Sequence, residues 1–199
     1  MAYEKERKEA VKAARLAARL CQSVQKKMAA QDSVEKSDTS PVTVADFGSQ
    51  ALICRHLAET FGNPIVGEED ALELRKEENR SLLESVQGYL QEVGIEGSAE
   101  EVCHWIDQGN GEVAERYWTL DPIDGTKGFL RKDQYAVALA LIENGDIKVG
   151  VLVCPSLPTS DTDVGTLMVA VRGEGTEMMS LTENTGDRVS VDTSGSEES

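Results

Sequence analysis

Along the first part of the chain Ala13, Leu16, Ala17, Leu20, Val24 and Met28 recur at spacings of three and four, with Lys and Arg on the remaining faces. This period predicts a long amphipathic helix over residues 3–28, its basic side solvated. Residues 30–41 are polar and carry Ser, Asp and Pro41, which predicts a loop. A second helix is expected to start near 44–46 and run to 60, burying Phe47, Leu52, Ile53 and Leu57 before Phe61-Gly62-Asn63-Pro64 ends it. Ile65-Val66 reads as a short strand leading into Gly67-Glu68-Glu69. Residues 71–93 are charge-laced but place Leu82, Leu83, Val86, Tyr89, Leu90 and Val93 on one side, a helical pattern. Ser98 and Glu101 have capping-box spacing for a short helix, Ala99–Asp107.

From Tyr135 the period changes. Residues 136–142 and 147–153 flank Asn144-Gly145, a strong hairpin signal. Residues 166–171 and 175–181 read as two more strands, and the end of the chain is rich in Ser, Thr, Gly and acids. Helices first and antiparallel strands later predict an α+β fold, with helices packed on a mostly antiparallel sheet.

One segment fits none of these structural roles alone. The β-favouring run Tyr117, Trp118, Leu120 is expected to end at Asp121, with Pro122 fixing a turn to a second carboxylate, Asp124, followed by Gly125-Thr126. Two carboxylates held a few ångströms apart repel unless a cation sits between them. Carboxylates, a backbone carbonyl such as that of Ile123, and water are the hard oxygen donors that Mg²⁺ prefers. Gly125, Thr126 and Gly128 offer backbone N–H groups on which an anion can sit. A metal on one side and an anion on the other suit the handling of phosphate.

The segment Asp121-Pro122-Ile123-Asp124-Gly125-Thr126 also resembles the signature of the Li⁺-sensitive, Mg²⁺-dependent phosphatase superfamily. That superfamily contains inositol monophosphatases, inositol polyphosphate 1-phosphatases and 3'(2'),5'-bisphosphate nucleotidases. Two further segments appear in the same order. Lys36-Ser37-Asp38-Thr39-Ser40-Pro41-Val42-Thr43-Val44-Ala45-Asp46-Phe47-Gly48-Ser49-Gln50 resembles the nucleotidase branch, and Val66-Gly67-Glu68-Glu69-Asp70 resembles the superfamily's Gly-Glu-Glu metal element. Lys127-Gly128-Phe129-Leu130-Arg131 also resembles the nucleotidases, and the likeness extends over most of residues 1–170.

The resemblance implies that Glu68, Asp121, Asp124 and the Ile123 carbonyl hold Mg²⁺. It implies that Asp46 with Thr126 activates water, and that Asp124, Gly125 and Thr126 meet the substrate. Local sequence alone favours a helix N-cap or first-turn acid for Asp46, a solvated turn is an even alternative for Glu68 and Glu69, and Thr126 could cap a helix. The implied reaction is hydrolysis of the 3'(2')-phosphate of adenosine 3'(2'),5'-bisphosphate to AMP and phosphate. An inositol polyphosphate 1-phosphatase, or a truncated non-catalytic metal-binding or interaction module, are the alternatives. Superfamily members are longer and carry a Trp-Asp-x-Ala-Gly-type segment in a C-terminal α/β domain, whereas no Trp follows Trp118 in this sequence. Residues 1–181 are therefore expected to form the N-terminal domain of an inositol monophosphatase-like fold, the C-terminal α/β domain missing, and 182–199 a disordered acidic tail.

Composition narrows the partners. The 199 residues carry a net charge of −16, and residues 1–28 are basic. The acidic remainder argues against nucleic acid as a partner and calls for divalent cations before a phosphorylated substrate can approach. The four cysteines are widely spaced and the two histidines fall in helical patterns, so zinc, a disulfide framework and a Ser-His-Asp triad have little to draw on. No apolar run is long enough to cross a bilayer, and the N-terminus lacks the apolar core of a signal peptide. A cytoplasmic protein without a membrane partner is expected, with an organellar address left open.

Overall fold

The computed structural model describes residues 2–31, 41–182 and 186–189. Helix α1 (Glu4–Gln31) packs against α2 (Pro41–Phe61) along a seam of small side chains. Ala10, Ala13, Ala14, Ala17 and Ala18 are fully buried where α1 meets α2 and the sheet, and their small side chains let the neighbouring elements approach closely. Leu16 and Met28, expected on the buried stripe, are only half-buried because the alanines take the inner face. Helix α2 starts at Pro41, earlier than the 44–46 expected, since proline suits the first helical position with its preset φ. Residues 32–40, which carry part of the Lys36–Gln50 motif, lie outside the described residues. No described helix is long and apolar enough to cross a membrane.

The expected helix over 71–93 forms only in its second part, as α3 (Arg80–Glu92), preceded by turns and a short 3-10 segment at Glu77–Asn79. Residues 75–79 are charged or polar and bury nothing, and a helix without a packed face is marginal in water. Helix α4 (Ala99–Asp107) keeps the bounds read from the sequence. Its capping box is complete: Glu101 N–H donates to Ser98 Oγ at 3.3 Å, and Ser98 N–H donates to Glu101 Oε2 at 2.8 Å.

The seven strands follow one another in sequence order across a single sheet: β1 (Ile65–Val66), β2 (Arg116–Asp124), β3 (Ala136–Glu143), β4 (Asp146–Pro158), β5 (Val164–Val171), β6 (Gly175–Ser180) and β7 (Asp187–Val189). Only β1 and β2 run parallel; every other pair is antiparallel. Asn144 and Gly145 both have positive φ, 55° and 78°, as a two-residue hairpin turn with the twist of its strands requires. Strand β7 corrects the expectation of a disordered tail from 182, because β6 offers it a free edge. The rest of the expected tail, 183–185 and 190–199, lies outside the described residues.

Alternation divides the sheet into two unlike faces. Val137, Leu139, Leu141, Val149, Val151, Val153, Leu167 and Val169 are buried beneath α1. On the opposite face Ala138, Ala140, Gly150, Leu152, Met168 and Ala170 are only half-buried and line a shallow apolar groove of about 380 Å³. Asp121 stands at the margin of that groove.

Candidate active site

The geometry of the site begins with a fault in β2. In a regular strand, residues three apart point to opposite faces. Asp121 pairs with Ala138 and Asp124 with Ala136, so three residues on β2 span two on β3. This one-residue irregularity returns Asp124 to the face of Asp121. The strand therefore does not end at Asp121 as expected. It continues through Pro122, whose missing N–H is tolerated where the ladder is already interrupted. Ile123 buries its side chain and donates its N–H to Asp121 Oδ1 at 3.1 Å, fixing that carboxylate.

Beyond Asp124 the chain turns sharply. Gly125 adopts φ 93°, a region open to glycine at no steric cost, and starts the short helix α5 (Thr126–Arg131). Helix α5 is anchored from behind by Phe129, which is fully buried and meets Tyr135 edge-on at 5.0 Å, and by Gln25 Nε2, which donates to the Phe129 carbonyl at 2.9 Å. Asp124, Gly125 and Thr126 are all exposed.

Asp46 approaches from α2, which also touches α5. With α2 starting at Pro41, Asp46 lies in its second turn, so the helix-cap reading of this residue is excluded by position. Burial, followed by the nearby charges of Glu69, Glu68 and Asp121, pushes its carboxyl up to about 8. Burial raises Glu69 as well, with Glu68, Asp70 and Asp121 adding to the effect. Asp121 is raised by burial and then by Glu68 and Asp124, against the opposing hydrogen bond from Ile123 N–H. The fold thus brings Asp46, Glu68, Asp121 and Asp124 into one electrostatic patch, although Glu68 and Asp121 are more than fifty positions apart. No hydrogen bond joins Asp46 to Thr126 among the described residues.

Glu69 couples to Asp46 more strongly than Glu68 does, a rank that sequence reasoning missed. Gln50, one turn after Asp46 and fully buried, was missed too. Its signal was a polar amide beside Ser49 in a stretch of α2 that buries Ala45, Phe47, Ala51 and Leu52.

Among the described residues no three Asp, Glu, His or Cys side chains stand close enough to hold an ion as they are. The donor chemistry nevertheless fits a hard divalent cation. The patch offers only oxygen donors, and its members destabilise one another's charge. Asp46, Glu68, Glu69, Asp121 and Asp124 have no ion-pair partner among the described residues.

The sequence profile of the inositol monophosphatase family matches residues 3–198. The chain is 44% identical over 205 residues to "3'(2'),5'-bisphosphate nucleotidase 1" of Arabidopsis thaliana, covering 91% of the chain and 58% of that protein. It is 42% identical over 214 residues to an Oryza sativa 3'(2'),5'-bisphosphate nucleotidase, covering 95% and 59%. A Schizosaccharomyces pombe 3'(2'),5'-bisphosphate nucleotidase is 43% identical over 201 residues, covering 91% and 57%. The chain therefore spans somewhat over half the length of these relatives. Among solved structures, CysQ from Bacteroides thetaiotaomicron, described as a bacterial member of the inositol monophosphatase family, superposes with a TM-score of 0.56 at 21% identity. It covers 94% of this chain and 54% of CysQ, a likeness of fold. Profile, relatives and architecture agree, and the chain belongs to the inositol monophosphatase family.

Proposed function

We propose that this chain carries the water- and metal-handling part of a phosphomonoesterase that removes the 3'(2')-phosphate of adenosine 3'(2'),5'-bisphosphate, giving AMP and phosphate. The observation that carries this reading is the uncompensated carboxylate patch assembled by the irregular β2, the Gly67-Glu68-Glu69 loop and α2. The nucleotidase names of the relatives at 42–44% identity support the substrate class.

Glu68, Asp121, Asp124 and the Ile123 carbonyl would hold the divalent ion, Mg²⁺ in this proposal. When bound, the ion supplies positive charge to the phosphoryl oxygens and acidifies the attacking water. The protein's own groups do the rest. Asp46, a stronger base than a surface carboxylate because it is half-buried among acids, takes the proton of the attacking water. Thr126, at the start of α5, orients that water through its hydroxyl, and the exposed stretch Asp124-Gly125-Thr126 faces the phosphate. Water oxygen bonds to phosphorus, the bond from phosphorus to the ribose oxygen breaks, and the ribose oxygen takes up a proton from solvent as AMP leaves. The partner is a small phosphorylated molecule in the cytoplasm, with neither nucleic acid nor membrane required, and the net charge of −16 supports this choice.

The test measures phosphate release from adenosine 3',5'-bisphosphate and from an inositol bisphosphate, with excess Mg²⁺, with and without Li⁺. Release from the nucleotide is expected to need Mg²⁺, to fall with Li⁺, and to drop by about 10²–10⁴ in Asp46→Asn. Preference for the inositol phosphate would move the substrate assignment. Turnover unchanged in both Asp46→Asn and Asp121→Asn would remove the site.

A further inference from the structure

Gln50 has no charge, yet three of the four hydrogen bonds of its buried amide go to the loop that bears Glu68 and Glu69, and the fourth goes to α4. Its Oε1 accepts from the Glu68 N–H at 3.1 Å and from the Glu69 N–H at 3.0 Å. Its Nε2 donates to the Glu69 carbonyl and, at 3.0 Å, to the Ile106 carbonyl at the end of α4. One side chain thus ties together α2, the acidic loop and α4.

The surroundings are shaped to admit that amide. A Cβ on Gly67 would stand 2.5 Å from Gln50 Oε1, and one on Gly109 would stand 2.5 Å from Nε2. The two glycines are themselves bonded, Gly67 N–H to the Gly109 carbonyl at 2.7 Å. Just beyond, Ala71 N–H donates to Asp107 Oδ1 at 2.9 Å and holds the far side of the loop. Asp46 is on the same helix, one turn before Gln50.

We infer that Gln50 is the positioning residue of the site: it sets the backbone of Glu68 and Glu69 at a fixed height against Asp46, so that the carboxylates of a loop and a helix act as one group. The metal arm of this inference rests on the phosphatase reading above; the positioning itself does not. A residue that fills space would affect the fold as a whole, whereas a clamp affects the loop and its ion.

The experiment compares the wild-type chain with Gln50→Leu and Gln50→Glu by residue-resolved amide hydrogen exchange without metal, and by calorimetric titration with Mg²⁺. In the wild type the Glu68 and Glu69 amides are protected. In Gln50→Leu they exchange at least about tenfold faster, while the amides of Leu139 and Val151 in the sheet keep their rates. Mg²⁺ affinity falls by about 10–100-fold, as when a residue behind a ligand is lost. Gln50→Glu keeps the oxygen that accepts from both amides and restores part of their protection, which also covers the case in which Gln50→Leu fails to fold. Unchanged protection of Glu68 and Glu69 in Gln50→Leu, or equal acceleration at Leu139 and Val151, overturns the inference. If the wild type takes up no Mg²⁺, the phosphatase reading falls and amide exchange alone decides the role of Gln50.

Discussion

Asp46 makes the stability of the metal-free protein depend on pH in a direction opposite to most carboxylates. Its carboxyl rises from 3.8 to about 8 on folding, chiefly through burial and then through Glu69, Glu68 and Asp121. The native state therefore holds the proton more tightly than the unfolded chain does. The stabilisation is full below about pH 4 and is lost progressively as pH rises to about 8. At 1.36 kcal/mol per pH unit the rise corresponds to an upper bound of about 6 kcal/mol. Water reaches the half-buried carboxyl, and an effective dielectric nearer that of a protein surface reduces the loss to roughly 2–4 kcal/mol. Asp46→Asn removes this titration at nearly constant shape, while Glu69 and Asp121 continue to titrate in both proteins. Urea unfolding in the presence of a chelator, repeated across this pH range, should show Asp46→Asn gaining on wild type by that amount as pH rises. Excess Mg²⁺ should shrink the difference, because a cation favours the ionised form. Parallel stability curves for the two proteins would refute the view that Asp46 lies among mutually repelling charges.

Two further outcomes follow from packing. Ser98→Ala breaks the capping box of α4 and should cost about 1 kcal/mol, read as a lower thermal midpoint with activity per folded molecule unchanged. Gly128→Ala would place a Cβ 1.8 Å from the Gln134 carbonyl, so α5 must shift. We expect a loss of about 1–3 kcal/mol by denaturant titration, with phosphate release falling further than stability does, because Thr126 moves with α5.

What was legible in the sequence was local. Ser98 and Glu101 announced α4 and Asn144-Gly145 announced the hairpin, while the spacing of Asp121, Asp124 and Thr126 suggested the chemistry proposed above. The features that escaped depend on partners distant in the chain. Strand β7 exists because β6 offers an edge. The straight reading of Asp121 as a strand end failed because only pairing with β3 reveals the register break. Gln50 hid inside α2 because that helix is buried nearly all round and its sequence has no strong polar face. Thr126 is the first residue of α5, the cap position being taken by Gly125, and which group its hydroxyl meets depends on how α2 and α5 pack.

The irregularity in β2 also separates two kinds of sequence change that are usually treated alike. Replacing Pro122 or Ile123 leaves the count of residues between the two acids intact, and with it the side of the sheet each acid faces. Removing either one would let the ladder close without interruption, which backbone pairing favours, and would leave both acids on one face, but it would abolish the kink in which Ile123 N–H reaches Asp121 Oδ1. At this point of the chain regular pairing gains from a shorter segment, while the backbone hold on Asp121 belongs to the longer one. Substitution at these two positions leaves the kink in place, whereas a change of length removes it.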